Sequence, residues 1–263
     1  MGFVKRPDEI ARIERAMSHP RFVNSEMLSV EFLTDASVVE HVLPPPLEPA
    51  GAPRVRAMVG RWQSNCVGDY KGGAIYVPAR HGSVEGDYVL AMYMSTDAAM
   101  VYGRDLFGEP KKLADSALYR HGDTLLGWVD RNGVRLIELH GQVATDVGPF
   151  EDEGVNFNFK ARPAADGAGL QEDAILTQAN FDVRAVAARE GAGSVVLRGT
   201  VHDPLDELPV RSVLRATFVE CDLVASCRAV ATVPADVFAP YHHGRHDDWS
   251  ALDTESAGLV PVA

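Results

Sequence analysis

Residues 103–112 read Gly103-Arg104-Asp105-Leu106-Phe107-Gly108-Glu109-Pro110-Lys111-Lys112, and the two closing lysines are the side chains best suited to covalent chemistry. An ordinary lysine has a pKa near ~10.4 and is an ammonium ion at neutral pH. Its amine attacks a ketone only once the charged form is disfavoured. Burial does this, and a second cation alongside adds to the effect. Phe107, Pro110 and Leu113 frame Lys111 with apolar groups, and Lys112 supplies the cation. Adjacent side chains of an extended strand point to opposite faces, however. Lys112 would then lie away from Lys111 and leave desolvation as the main cause. Two lysines after a proline also suit a solvated turn, since lysine is mostly exposed. The residue types alone leave these alternatives open.

Other side chains extend the set. Arg104 suits a substrate carboxylate, which a guanidinium binds through two parallel hydrogen bonds, and it equally suits a structural salt bridge. His242, His243 and His246 carry imidazoles, which are good metal ligands. Their setting among Gly244, Arg245, Asp247 and Asp248 is aperiodic and polar, so they read as solvated, and no metal site is expected. Cys66, Cys221 and Cys227 form an odd set without CxxC spacing, which points to buried reduced thiols.

The elements that must position these residues are mostly strands. The chain has 263 residues, 46% hydrophobic and 24% charged, enough for a sizeable core. Ile10, Ile13 and Met17 fall at helical spacing over residues 8–18, and residues 35–42 form a second helix stopped by Pro44-Pro45-Pro46. Short β-branched or aromatic runs follow, at 74–77, 88–94, 124–129, 134–139, 157–160, 175–178, 194–197 and 217–224. Asp130-Arg131-Asn132-Gly133 signals a type I′ hairpin, and Gly86-Asp87 marks another turn. Many strands without strand–helix alternation predict an α+β, mainly antiparallel protein with a few helices. Residues 1–240 read as a single domain, and residues 241–263 as a polar tail, partly disordered.

Composition excludes several functions. The net charge is −12 with no lysine/arginine cluster, so no nucleic-acid partner is expected, and an anionic substrate needs a local positive site. No stretch reaches the roughly 18 apolar residues that span a bilayer, so no membrane partner is expected either. The start, Met1-Gly2-Phe3-Val4-Lys5-Arg6, lacks a signal-peptide core, and a cytoplasmic location is expected.

The lysine segment resembles the hallmark of the acetoacetate decarboxylase superfamily, a Gly-Arg-Glu stretch followed by Pro-Lys-Lys, seen here as Gly103-Arg104-Asp105 and Pro110-Lys111-Lys112. The resemblance continues in order through residues 42–48, 85–93, 123–127, 159–163 and 203–210, and spans roughly residues 20–235. That family is the standing example of a lysine activated by a neighbouring cation, so this activation belongs to the resemblance. The resemblance implies a closed β-barrel-like fold with flanking helices, a homo-oligomer, and Lys111 as Schiff-base nucleophile without any cofactor. It implies a small-molecule keto acid substrate. Lys111, Lys112 and Glu109 are the expected catalytic residues, with Arg104 and Phe107 holding substrate.

Three positions depart from the family's decarboxylases. Their active-site arginine falls on Ser25, and a glutamate ahead of the Gly-Asp-Tyr strand falls on Gly72. Loss of both is coherent, because a lone buried charge is costly. The residue two before the lysine, usually aromatic, is Glu109. On an extended stretch it shares a face with Lys111 and could act as acid/base for the imine, although it also favours the ammonium form. Otherwise it is an exposed turn residue. Family members that keep the lysine but not decarboxylation perform aldol condensation and dehydration, in some with help from a tyrosine near the carboxyl terminus, here Tyr241. Aldolase–dehydratase chemistry is therefore favoured over decarboxylation of a β-keto acid. A ligand-binding barrel without turnover is the third reading.

Overall fold

The computed structural model describes residues 2–253. Among them are eleven strands of three residues or more: β1 (Arg21–Leu33), β2 (Arg54–Ser64), β3 (Gly68–His81), β4 (Val84–Met94), β5 (Lys111–Leu113), β6 (Asp115–His121), β7 (Thr124–Arg131), β8 (Val134–Asp146), β9 (Phe150–Lys160), β10 (Ala174–Leu197) and β11 (Ser212–Val233). The helices are α1 (Pro7–Met17), α2 (Ala36–Val42), α3 (Asp97–Tyr102) and α4 (Ala235–Gly244).

Seven strands close on themselves in the order β9-β4-β3-β2-β1-β11-β10, with β10 returning to β9. Neighbours are antiparallel except β4 and β9, which meet in parallel at Asp87/Asn156 and Tyr88/Phe157. The mainly antiparallel, closed-barrel expectation holds. The far half of β10 continues into β8, β7 and β6, and β6 folds back over β2 and β3. Alternation explains the core between these layers. Leu28, Val30 and Phe32 on β1, Val55, Ala57 and Val59 on β2, and Leu125 and Val129 on β7 are fully buried at every second or fourth position. Burying each of the larger side chains stabilises the fold by about 1.5–3 kcal/mol.

The hairpin between β7 and β8 turns at Asn132 and Gly133, with φ of 51° and 79°. These are the positive angles a type I′ turn needs. The turn expected at Gly86-Asp87 is instead inside β4, where both residues pair with Ala79 and Pro78. The chain reverses earlier, at Gly82 with φ 60°. The runs at 175–178 and 194–197 are the two ends of one strand, β10.

A helix runs through residue 240, after which the polar tail was expected to begin. Pro240 lies inside α4, which carries Phe238, Tyr241 and His242 onto the barrel. Phe238 stacks on Phe159 at 4.6 Å between ring centroids. A proline inside a helix removes one hydrogen bond, but burial of this aromatic face outweighs it. Residues 254–263 of the expected tail lie outside the described residues.

Candidate active site

The lysine segment is held by an unusual turn. α3 runs into a single π-helical turn over Gly103–Phe107, which ends at Gly108 with φ 77°. Gly108 is needed twice over, for that left-handed angle and because a Cβ would sit 2.6 Å from the Phe159 carbonyl carbon. Thr177 Oγ1 donates to the Phe107 carbonyl at 2.5 Å, and Arg245 donates to the Gly108 carbonyl and, at 2.7 Å, to that of Phe159. The Lys111 N–H donates to the Glu109 carbonyl at 2.8 Å, and β5 then joins β4 in parallel.

This turn sets Lys111 Nζ 2.7 Å from Glu109 Oε2, with both side chains buried. The expectation that these two share a side is met in geometry, and Glu109 is not an exposed turn residue. Gly103 makes the approach possible, since a Cβ there would lie 2.2 Å from Glu109 Oε2 and 2.4 Å from Lys111 Nζ. The pair forms part of the wall of a cavity of about 420 Å³, whose apolar lining includes Met58, Trp62, Met92, Met94 and Phe107. Phe107, expected to hold substrate, lines this cavity.

The same cavity holds a cation that sequence reasoning missed. Arg56 Nη2 is 2.6 Å from Asp87 Oδ2, and its guanidinium lies 4.1 Å above the Tyr76 ring. Burial opposes the Arg56 charge, but Asp87 and Tyr76 more than offset it and raise its pKa. Tyr70 and Tyr76 also line the cavity, and burial holds both phenols protonated well beyond their ordinary range. A legible signal existed. Arg56, Met58, Gly60 and Trp62 alternate along β2 and share a face, so an arginine stands in an otherwise apolar stripe.

Lys112 occupies the other side of β5. Its Nζ donates to the His202 carbonyl at 2.6 Å and lies 2.9 Å from Asp203 and 3.2 Å from Asp247. Arg131 joins both carboxylates, at 2.5 Å and 2.7 Å. This network borders a separate cavity of about 520 Å³ lined by Val38, Leu90, Leu205 and Leu208 among others. Strand alternation therefore prevails over sequence adjacency, and Lys112 is not a cation beside Lys111 in the Lys111 cavity.

Arg104 and Tyr241 do not line the Lys111 cavity. Arg104 donates to the Lys111 carbonyl at 3.2 Å and meets His246 Nδ1 at 3.2 Å. Tyr241 packs on the barrel core beside Phe238. Of the three histidines expected to be solvated, His243 is exposed, but α4 and the turn after it press His242 and His246 onto the barrel. His242 is buried, and its ring lies 4.5 Å from that of His246. Burial, with Arg245 and Arg104 nearby, holds His242 near pKa 4 and His246 near 3. Burial pushes the Cys221 and Cys227 thiols up to about 11. Ser25 is fully buried with an unpaired Oγ. Gly72 has no room for any side chain, because a Cβ would lie 2.3 Å from the Tyr93 carbonyl oxygen and 2.6 Å from Met94 Cε.

Residues 7–232 match the family described as Acetoacetate decarboxylase (ADC), and the chain belongs to that family. It is 31% identical over 209 residues to the acetoacetate decarboxylase of Burkholderia mallei, covering 77% of this chain and 84% of the relative. It is 32% identical over 216 residues to that of Chromobacterium violaceum, with the same coverage. Among solved structures, acetoacetate decarboxylase from Legionella pneumophila superposes with a TM-score of 0.74 at 25% identity, over 81% of this chain and 87% of that one. The enduracididine biosynthesis enzyme MppR, solved with the condensation product of pyruvate and imidazole 4-carboxaldehyde, shares the fold at TM-score 0.70. It is 15% identical, over 80% of this chain and 88% of that one.

Proposed function

We propose that the chain is a cofactor-independent lyase that forms a Schiff base between Lys111 and a small keto acid, and that its chemistry is aldol condensation or dehydration. The observation that carries the reading is the buried Lys111–Glu109 pair, 2.7 Å apart, at the wall of an apolar cavity that also holds Arg56. Transfer of the ammonium proton to Glu109 frees the amine. The amine adds to the ketone, and Glu109 returns the proton to the carbinolamine hydroxyl as it leaves as water, which gives a protonated imine and restores the carboxylate. Glu109 then exchanges protons with the carbon next to the imine, interconverting iminium and enamine. The enamine carbon attacks an aldehyde, or expels a hydroxyl group as water.

Arg56 receives the substrate carboxylate through charge-assisted hydrogen bonds. Two features of the chain favour retention of that carboxylate. The positions of the family's arginine and glutamate hold Ser25 and the side-chain-free Gly72. Glu109, beside the imine, repels a carboxylate placed there for departure as CO₂. MppR, named with a pyruvate–aldehyde condensation product, illustrates such chemistry on this fold.

Decarboxylation of a β-keto acid is the second reading, and the acetoacetate decarboxylase relatives at 31–32% identity favour it. Incubation with acetoacetate, and separately with pyruvate plus an aldehyde, distinguishes the two. The expected result is condensation without appreciable CO₂ release, and rapid CO₂ release from acetoacetate would reverse the preference. Borohydride reduction with pyruvate, followed by mass spectrometry, tests the shared imine. The expected adduct forms on wild type and not on Lys111→Ala. No adduct with any of a panel of keto acids would leave a binding barrel without turnover.

A further inference from the structure

Glu109 also lines a small cavity of about 30 Å³, whose other walls include Arg104, His242, Arg245 and His246. Its charge balance is uneven. Arg104 donates to the Lys111 carbonyl and meets a His246 nitrogen, and Arg245 donates to the carbonyls of Phe159 and Gly108. All four partners are neutral. Among the described residues neither guanidinium has a carboxylate within ion-pair distance, and Asp105 acts on Arg104 only through space. Glu109, the carboxylate lining the cavity, is already matched by Lys111 at 2.7 Å.

Two donors are unused as well. Arg245 Nε and His242 Nε2 have no hydrogen-bond partner, and His242 is only 2% exposed. Unmatched buried charge and unmade buried hydrogen bonds both destabilise a fold. Burial lowers the pKa of both arginines, and Arg104 lowers that of Arg245 further, while Asp105 at Arg104 and Tyr88 and Glu109 at Arg245 act the other way without reversing the direction.

We propose that this cavity is a halide site, occupied by chloride. A water needs about 10–15 Å³ of such space, so 30 Å³ admits a monatomic anion or two waters. Sulfate, phosphate or a carboxylate is too large. Water would satisfy the donors but leave two guanidinium charges uncompensated, whereas a monatomic anion answers both. Arg245 Nε–H and His242, in the tautomer with hydrogen on Nε2, are its donors, and Arg104 completes the positive wall.

The test is anomalous diffraction from crystals grown in sodium bromide, combined with thermal melts in sodium chloride, bromide and gluconate at equal ionic strength. A bromide peak is expected in the cavity lined by Arg245 and His242. Melting temperature should rise saturably with either halide but not with gluconate, and Arg104→Gln should lose that dependence. Absence of a bromide peak at saturating halide overturns the proposal and leaves a water site. A halide-dependent gain that survives in Arg104→Gln also overturns it, because the anion then binds elsewhere.

Discussion

Lys111 and Lys112 are bonded neighbours whose amines serve opposite sides of one strand. Nζ of Lys111 lies 2.7 Å from Glu109 at the cavity that holds Arg56, and Nζ of Lys112 lies 2.9 Å from Asp203 at another cavity. The two lysines are therefore separable by substitution.

Lys112→Met leaves Asp203 and Asp247 with Arg131 alone in a largely buried network, so it should destabilise the protein by about 3 kcal/mol. Urea denaturation measures this. Keto acid trapping on Lys111 should persist in the folded variant, and its disappearance would return Lys112 to the chemistry.

Glu109→Gln keeps the shape of the side chain but removes its proton exchange. Turnover should fall about 10²- to 10⁴-fold, while borohydride still captures a slowly formed imine. Single-turnover trapping alongside steady-state rates separates the two steps. Unchanged turnover would remove Glu109 from the mechanism.

Gly103→Ala places a methyl group 2.2 Å from Glu109 Oε2 and 2.4 Å from Lys111 Nζ. Both atoms end flexible side chains, so the fold should survive while the pair is pushed out of alignment. A displacement of about 1 Å is expected to reduce kcat/KM by about 10²-fold, with an unchanged circular dichroism spectrum.

Arg56→Gln should raise KM for a keto acid about 10- to 100-fold, corresponding to loss of hydrogen bonds to a charged group. A methyl ester or simple ketone lacks the carboxylate, so the variant should treat it as wild type does. Equal losses on both substrates would mean that Arg56 serves the barrel and not the ligand.

Stability should fall in mild acid. His242 and His246 are held near pKa 4 and 3 in the folded chain, against about 6.5 when unfolded. Above pH ~6.5 both rings are neutral in both states. Below it the unfolded chain takes up protons that the folded chain refuses, so stability is lost as pH falls toward 4. Melting temperatures in halide-free buffer should show this decline, and His242→Leu should flatten it.

Much of this was legible in the chain itself. The Asn132-Gly133 hairpin, α1, α2 and the strand runs follow from local pattern, and the Lys111 segment was identifiable by its residues. The rest depends on contacts between distant parts of the chain. Arg56 and Asp87 are 31 positions apart and meet only because β2 and β4 flank β3. The burial of His242 requires Phe238 to find Phe159, which no local period encodes. Arg104 stood beside the lysines in sequence, but the π-helical turn directs it away from the Lys111 cavity.

Gly72 has a consequence for how this pocket can change over generations. The obstacle to a side chain there includes the main-chain oxygen of Tyr93, 2.3 Å from a Cβ, as well as the Met94 methyl group at 2.6 Å. A glutamate, which the family resemblance would place here, cannot be introduced by a single substitution. It would need a smaller residue at 94 and a shifted β4 backbone as well. Gly72→Glu alone should therefore yield misfolded protein rather than a decarboxylase.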